Sequence, residues 1–228
     1  FISTDLRGDQ AGQRLTFNGN VRGWQGEKNL SARRVVIDQQ QRTLTARDRV
    51  TTRFPRRREG AAAGADEFAQ VTAAGLDYDE RDYRAIYRED VRVVLAEGWI
   101  ESTSLTVVQN RVGSGFERLL AEGDVQLEFL GTPAENGEPA PRTTGHGDRL
   151  DYLPGEETLW LYGDEQRAEI QRGGDQAGIS RGKVLTYRLD DGTLSIEGGR
   201  FIGSSSPTKP ASNGPDNPEK NRETSDER

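Results

Sequence analysis

The sequence has no cysteine and no methionine, and its one histidine is His146. Without cysteine there is no disulfide, no thiolate nucleophile and no thiolate-held metal, although the redox compartment stays open. His146, within Thr144-Gly145-His146-Gly147-Asp148, has no second histidine for a metal pair and reads as an exposed loop residue. Long apolar runs are also missing. A bilayer span needs about 20 apolar residues, and the best local run, Val91–Ala96, is far shorter. With neither an initiator methionine nor the basic and apolar regions of a signal peptide, the chain reads as a processed or excised segment. Basic residues are outnumbered, 31 Lys and Arg against 38 Asp and Glu, for a net charge of −7. That balance disfavours broad nucleic-acid binding, which needs a net basic face. One basic run, Arg56-Arg57-Arg58 after Pro55, goes against it and reads as a solvated loop cluster rather than a phosphate site.

Apolar side chains make up 32% of the chain, charged ones 30%, and the mean hydropathy is −0.83. Scattered, so few apolar residues would leave a chain disordered. They are instead grouped in short alternating runs, which implies a thin core under a large wet surface. Helical periodicity is poor and period-two runs bounded by Gly, Asp, Asn and Pro are frequent, so the architecture is expected to be all-β. In Val125–Phe129, Val125, Leu127 and Phe129 alternate with Gln126 and Glu128. Leu150–Leu153 and Thr158–Tyr162 flank Pro154-Gly155-Glu156-Glu157 as a hairpin, and Asp190-Asp191-Gly192 separates Val184–Leu189 from Thr193–Glu197 in the same way. Gln39-Gln40-Gln41 marks a weaker turn. The stretches 56–69 and 131–145 read as loops inside one domain, residues 1–202, and the polar tail 203–228 as disordered.

A loose repeat runs through the strands. Gly19-Asn20-Val21, Asp48-Arg49-Val50, Glu89-Asp90-Val91 and Gly123-Asp124-Val125 each set a turn-forming or polar pair before a valine, and Tyr162-Gly163-Asp164 resembles them. The valines lie 29, 41 and 34 residues apart, which suits stacked hairpins with variable loops better than a strict solenoid. Gly, Asn or Asp in these pairs tolerates positive φ, so Gly19-Asn20 is expected to reverse the chain between two strands, with Val21 the first inward residue of the second. Trp24, between glycines, is left as either core or rim.

Enzyme motifs are missing. Asp190-Asp191-Gly192 does not have calcium-loop spacing, 198–203 fits neither phosphate-loop nor dinucleotide spacing, and Gly113-Ser114-Gly115 is not a nucleophile elbow. No two carboxylates stand out as a glycosidase pair. The expectation is a non-enzyme with no cofactor and no metal. Trp24, Trp99 and Trp160 leave open an envelope sandwich that binds polysaccharide or serves as a structural adaptor.

The opening, ISTDLRGDQAGQRLTFNGNVRGWQGEKNLSARRVVI, together with LLAEGDVQLEF and GDRLDYLPGEETLWLYGD, resembles the OstA-like family of lipopolysaccharide transport proteins, which includes LptA, LptC and the N-terminal domain of LptD. The resemblance implies an open β-jellyroll, two antiparallel sheets in a V, located in the periplasm or tethered to a membrane by a removed N-terminal segment. Its hydrophobic groove would shield lipopolysaccharide acyl chains, and jellyrolls of the bridge would join end to end through edge strands, including head-to-tail self-association. An LptA-like bridge and an LptC-like component of the same pathway remain alternatives. On this view the groove is lined by Ile2, Phe17, Val21, Val35, Ile37, Val91, Val93, Leu127, Phe129, Leu159 and Leu161, with Ile2 at its entrance, and the edges are the strand near Ile2 and the one around 194–202.

Overall fold

Alternating residues give a chain built almost wholly of antiparallel strands. The computed structural model describes residues 1–9, 13–56, 67–96, 98–111, 116–130, 142–164, 167–173, 177–189 and 193–203. Nine long or edge strands come first: β1 (Asp5–Gly8), β2 (Arg14–Gln25), β3 (Lys28–Asp38), β4 (Thr43–Arg56), β5 (Glu67–Asp79), β6 (Arg84–Leu95), β7 (Gly98–Gln109), β8 (Phe116–Leu130) and β9 (Arg142–Leu153). A 3-10 turn, Pro154–Glu156, then leads into six short ones: β10 (Thr158–Tyr162), β11 (Ala168–Arg172), β12 (Gly178–Gly182), β13 (Val184–Arg188), β14 (Leu194–Glu197) and β15 (Arg200–Gly203). Strands β1 to β9 pair in sequence order. Beyond β9 the sheet forks, one branch running β10, β13, β14 and the other β11, β12, β15.

The fork explains the repeat. Every ladder from β2–β3 to β8–β9 shifts register partway along, for example between Asn18 and Val21 and between Glu122 and Val125. At those shifts Gly19 and Asn20, Asp48 and Arg49, Glu89 and Asp90, and Gly123 and Asp124 all have positive φ. Two successive left-handed residues bend β2, β4, β6 and β8, and the strands paired with them follow, so that each ladder leaves one sheet and enters a second, as strands do at sandwich corners. Gly19-Asn20 is therefore not a reversal between strands. It is a corner inside β2, and Val21 is inward as expected because the bend preserves its parity. Past β9 the same corner is wide enough to break the ladder: β10 and β11, β12 and β13, and β14 and β15 are bent strands divided in two, the last at Gly198, whose φ is 63°.

Two arms result. The first contains residues 14–18, 34–38, 43–47, 75–79, 84–88, 104–109, 116–122 and 149–153 with β10, β13 and β14. The second contains the other halves of β2 to β9 with β11, β12 and β15. Among the described residues no ladder closes the sheet, so β1 and the β14–β15 strand are its edges. This is an open β-jellyroll.

Several loop boundaries move. Arg56 ends β4 and Glu67 begins β5, and β9 starts at Arg142, so both expected loops are shorter than they looked; Arg57 and Arg58 lie outside the described residues. His146 is in β9, with its Nε2 3.2 Å from Asp124 Oδ1, rather than in a loop. Hairpins β9–β10 and β13–β14 form where expected. The polar tail from residue 204 lies outside the described residues.

Candidate functional site

Register places the apolar residues in continuous inward rows. In the first arm Phe17 stands opposite Val35, Val35 opposite Ala46, Ala46 opposite Leu76, and Leu76 opposite Tyr87. The row continues through Leu105, Ala121 and Leu150 to Leu161, Leu185 and Ile196 at the far edge. In the second arm Leu30, Thr52, Val71, Val93, Ile100 and Leu127 stand in line, followed by Gly145, Ile170, Ser180 and Phe201. Both arms turn these rows toward one another, and almost every member is buried.

Side chains from the two arms meet across this interior. Thr52 Oγ1 of the second arm and Tyr87 Oη of the first are 2.7 Å apart and buried. Burial raises the Tyr87 hydroxyl well above the ordinary tyrosine value, and the hydrogen bond from Thr52 offsets part of that shift. At the open rim, away from the corner, Lys28 Nζ donates to Gln109 Oε1 at 3.2 Å. Nearer the C-terminal end the Arg172 guanidinium lies 5.7 Å from the Tyr187 ring centroid. The interior is thus filled by its own side chains and strapped at its mouth.

Each end of the interior is stopped by a phenylalanine over a glycine. A Cβ on Gly23 would lie 2.4 Å from the Phe1 ring, which stacks on Phe17 at 5.2 Å. A Cβ on Gly178 would lie 2.5 Å from the Phe201 ring. Glycine is required at both positions for the ring to lie down. Both rings remain about half exposed, 45% and 47%.

The residues expected to line a groove fall mostly into these rows. Phe17, Val21, Val35, Val91, Val93, Leu127, Phe129, Leu159 and Leu161 are inward and buried, and Ile37 is inward and half-buried. Ile2 differs: it bridges to Arg22, which shares the outer face, and it is 64% exposed. The inward position at that edge belongs to Phe1. Trp24 is 55% exposed, pairs with Asn29 and faces outward, so it is neither core nor lining. Trp24, Trp99 and Trp160 stand on β2, β7 and β10, too far apart in the strand order to make one stacking platform. Tyr87, Thr52, Phe1 and Phe201 were missed by the pattern. Only Tyr87 carried a signal, its alternation with Ala85.

Two hollows open elsewhere, one lined by Arg167, Arg181, Gly198, Gly199 and Arg200, the other by residues of β4 to β6 including Thr45, Asp77 and Asp79. Arg81 holds the Asp79 carboxyl at about 2, mainly through a side-chain hydrogen bond. Ser180 Oγ and Arg149 Nε are buried with no hydrogen-bond partner. Among the described residues no group of His, Cys, Asp or Glu could hold a metal, and no helix is long and apolar enough to cross a membrane.

The model of the LptA/(LptD N-terminal domain) LPS transport protein family matches residues 3–68 and 70–193. Among solved structures the fold is similar to LptH from Pseudomonas aeruginosa, the LptA homologous periplasmic component of its lipopolysaccharide transport device. The TM-score is 0.51 at 16% identity, over 60% of this chain and 94% of that one. No curated protein matches.

Proposed function

Given that the chain belongs to the LptA/(LptD N-terminal domain) family of lipopolysaccharide transport proteins, we propose that it is a periplasmic bridge component that holds lipopolysaccharide acyl chains between its two arms. The observation that carries this reading is the pair of inward apolar rows running from one sheet edge to the other without interruption by charge. A conduit needs no nucleophile or general base. It needs an apolar trough and a path for the head group in water.

Burial of each acyl methylene is worth about 0.8 kcal/mol. In this chain those methylenes displace side chains that already pack on each other, so the net gain is the difference between two apolar contacts. That difference holds lipid without trapping it, which suits a carrier that must release its cargo. Entry requires the arms to part: the Thr52–Tyr87 hydrogen bond breaks and the Lys28–Gln109 strap opens. Phe1 and Phe201 swing away from Gly23 and Gly178 at the two ends. The unpaired hydroxyl of Ser180, in the apolar interior, then gains a partner in the ester or amide groups of the lipid.

Exposed edges give the second half of the proposal. β1 and the β14–β15 strand present unpaired backbone groups to a neighbouring jellyroll, so modules join edge to edge and the interior runs on from one to the next. The dispersed outward tryptophans give the polysaccharide alternative no support. The reading is tested by placing a photo-crosslinking residue at Phe129, at Ile2 and at Gln126 and irradiating with lipopolysaccharide. Capture is expected at Phe129 only; equal capture at all three, or none at Phe129, contradicts the interior as the carrier.

A further inference from the structure

The C-terminal corner differs from the others in charge. Arg181 of β12 stands directly across from Arg200 of β15 and from Glu169 of β11, so the three form one row on the outer face of the second arm. Arg167, two residues before Glu169 on the same face, donates from Nη1 to Gly198 O at 2.8 Å. The hollow of about 490 Å³ at this point is lined by Arg167, Arg181, Arg200, Gly198 and Gly199, with no carboxylate among the described residues of its wall. Lys183 adds a fourth cation, its stem 3.1 Å from where a Cβ on Gly198 would lie.

The backbone is pressed close here. A Cβ on Gly199 would fall 1.8 Å from the Arg181 carbonyl oxygen. Gly198 and Gly199 thereby leave bare backbone in the wall of the hollow beside the three arginines. Glu169 takes the Arg181 Nε at 2.5 Å and leaves the terminal nitrogens of that fork unused. Glu197 is the other nearby carboxylate, on the β14 side of the corner. The Arg200 side chain makes no hydrogen bond or ion pair among the described residues. The earlier corners carry Gly19-Asn20, Asp48-Arg49, Glu89-Asp90 and Gly123-Asp124, none with a net positive charge, in a chain with net charge −7.

We propose that this corner is an anion site for a phosphate group, independent of the apolar interior. Guanidinium forks match phosphate oxygens in pairs and keep their charge at any working pH. Three guanidiniums line the hollow, and a phosphate has enough oxygens to accept from more than one of them, whereas a planar carboxylate is satisfied by one. The phosphate comes either from solution or from a lipid head group. Inorganic phosphate and vesicles of phosphatidic acid in phosphatidylcholine separate these sources.

The test titrates inorganic phosphate into the full chain while following the backbone amide signals of Gly198 and Gly199. In parallel, the chain is sedimented with phosphatidic acid vesicles and with pure phosphatidylcholine vesicles. The proposal expects saturable shifts at those two glycines or binding to the acidic vesicles alone, whichever source applies. Arg181→Gln/Arg200→Gln weakens the interaction about tenfold or more, while Arg22→Gln on outer β2, charge-matched to Arg200→Gln alone, leaves it unchanged. Arg200→Gln alone, at an exposed edge, serves if the double variant folds poorly. No response to either probe, or an equal loss in Arg22→Gln, overturns the site. Lipid capture at Phe129 is unaffected by either result, so this site and the carrier reading fail separately.

Discussion

The two ends of the jellyroll share one device and differ in everything around it. At both, a half-exposed phenylalanine covers an inward glycine, Phe1 over Gly23 and Phe201 over Gly178. At the N-terminal end Ile2 is exposed on the outer face beside Arg22, Leu6 is exposed on the inner side of β1 opposite Phe17, and the corner residues Gly19 and Asn20 stay inside one strand. At the C-terminal end the corner is two glycines, the strand is cut into β14 and β15, and the outer face is cationic. The plugs are alike because both ends close the same interior.

Four experiments break or sharpen this contrast. The largest effect is expected from Gly199→Ala, whose added carbon meets backbone and costs about 3 kcal/mol in chemical denaturation. Gly19→Ala costs less, about 1 kcal/mol, because its collision is with the Thr4 side chain, which can rotate, and the remaining strain is that of positive φ. Equal losses would mean that the two corners are built alike. Next, midway between the ends, Tyr87→Phe leaves Thr52 unpaired and costs about 1–3 kcal/mol, most of which Thr52→Val/Tyr87→Phe restores. Because the Tyr87 pKa is raised in the folded chain, wild-type stability is complete below the ordinary tyrosine value of about 10 and falls as pH rises beyond it. Tyr87→Phe flattens that alkaline decline, and an unchanged decline would remove Tyr87 as its cause. Third, Phe1→Ala and Phe201→Ala each lower stability by about 1 kcal/mol, half the value of a fully buried ring; a loss at one end only would break the symmetry of the plugs. Smallest is Leu6→Lys, which leaves the monomer's stability unchanged and weakens concentration-dependent association in sedimentation velocity. Unaltered association would place the contact away from the N-terminal edge.

The inward rows were legible because period two survives the corner: Phe17 and Val21 lie four residues apart and both face the core. What alternation cannot show is which strand lies across the way. Gly19-Asn20 has the chemistry of a hairpin turn, and only the continued pairing of residues 21–25 with β3 makes it a bend within β2. His146 looked like a loop residue because Gly145 and Gly147 flank it. Those glycines are inward positions of β9 whose space is taken by Leu127 and Leu161. Ile2 was placed at the groove entrance by the family resemblance alone, since an isolated residue has no parity of its own, and its bridge to Arg22 sets it on the outer face. Phe1 and Phe201 left no pattern at all, since their roles depend on glycines some 20 residues away in sequence. The arginine corner was equally hidden: Arg167, Arg181 and Arg200 are spread along the sequence and meet only because β11, β12 and β15 pair.

The central claim is that lipid enters between arms that must separate. Because the chain has no cysteine, Lys28→Cys/Gln109→Cys introduces the only two thiols, at positions whose native side chains meet across the mouth. Bridging them with a cleavable bis-maleimide holds the arms together, and lipopolysaccharide binding is then measured before and after cleavage. The account predicts that the bridged protein loses binding and that cleavage restores it. Full binding by the bridged protein would contradict it.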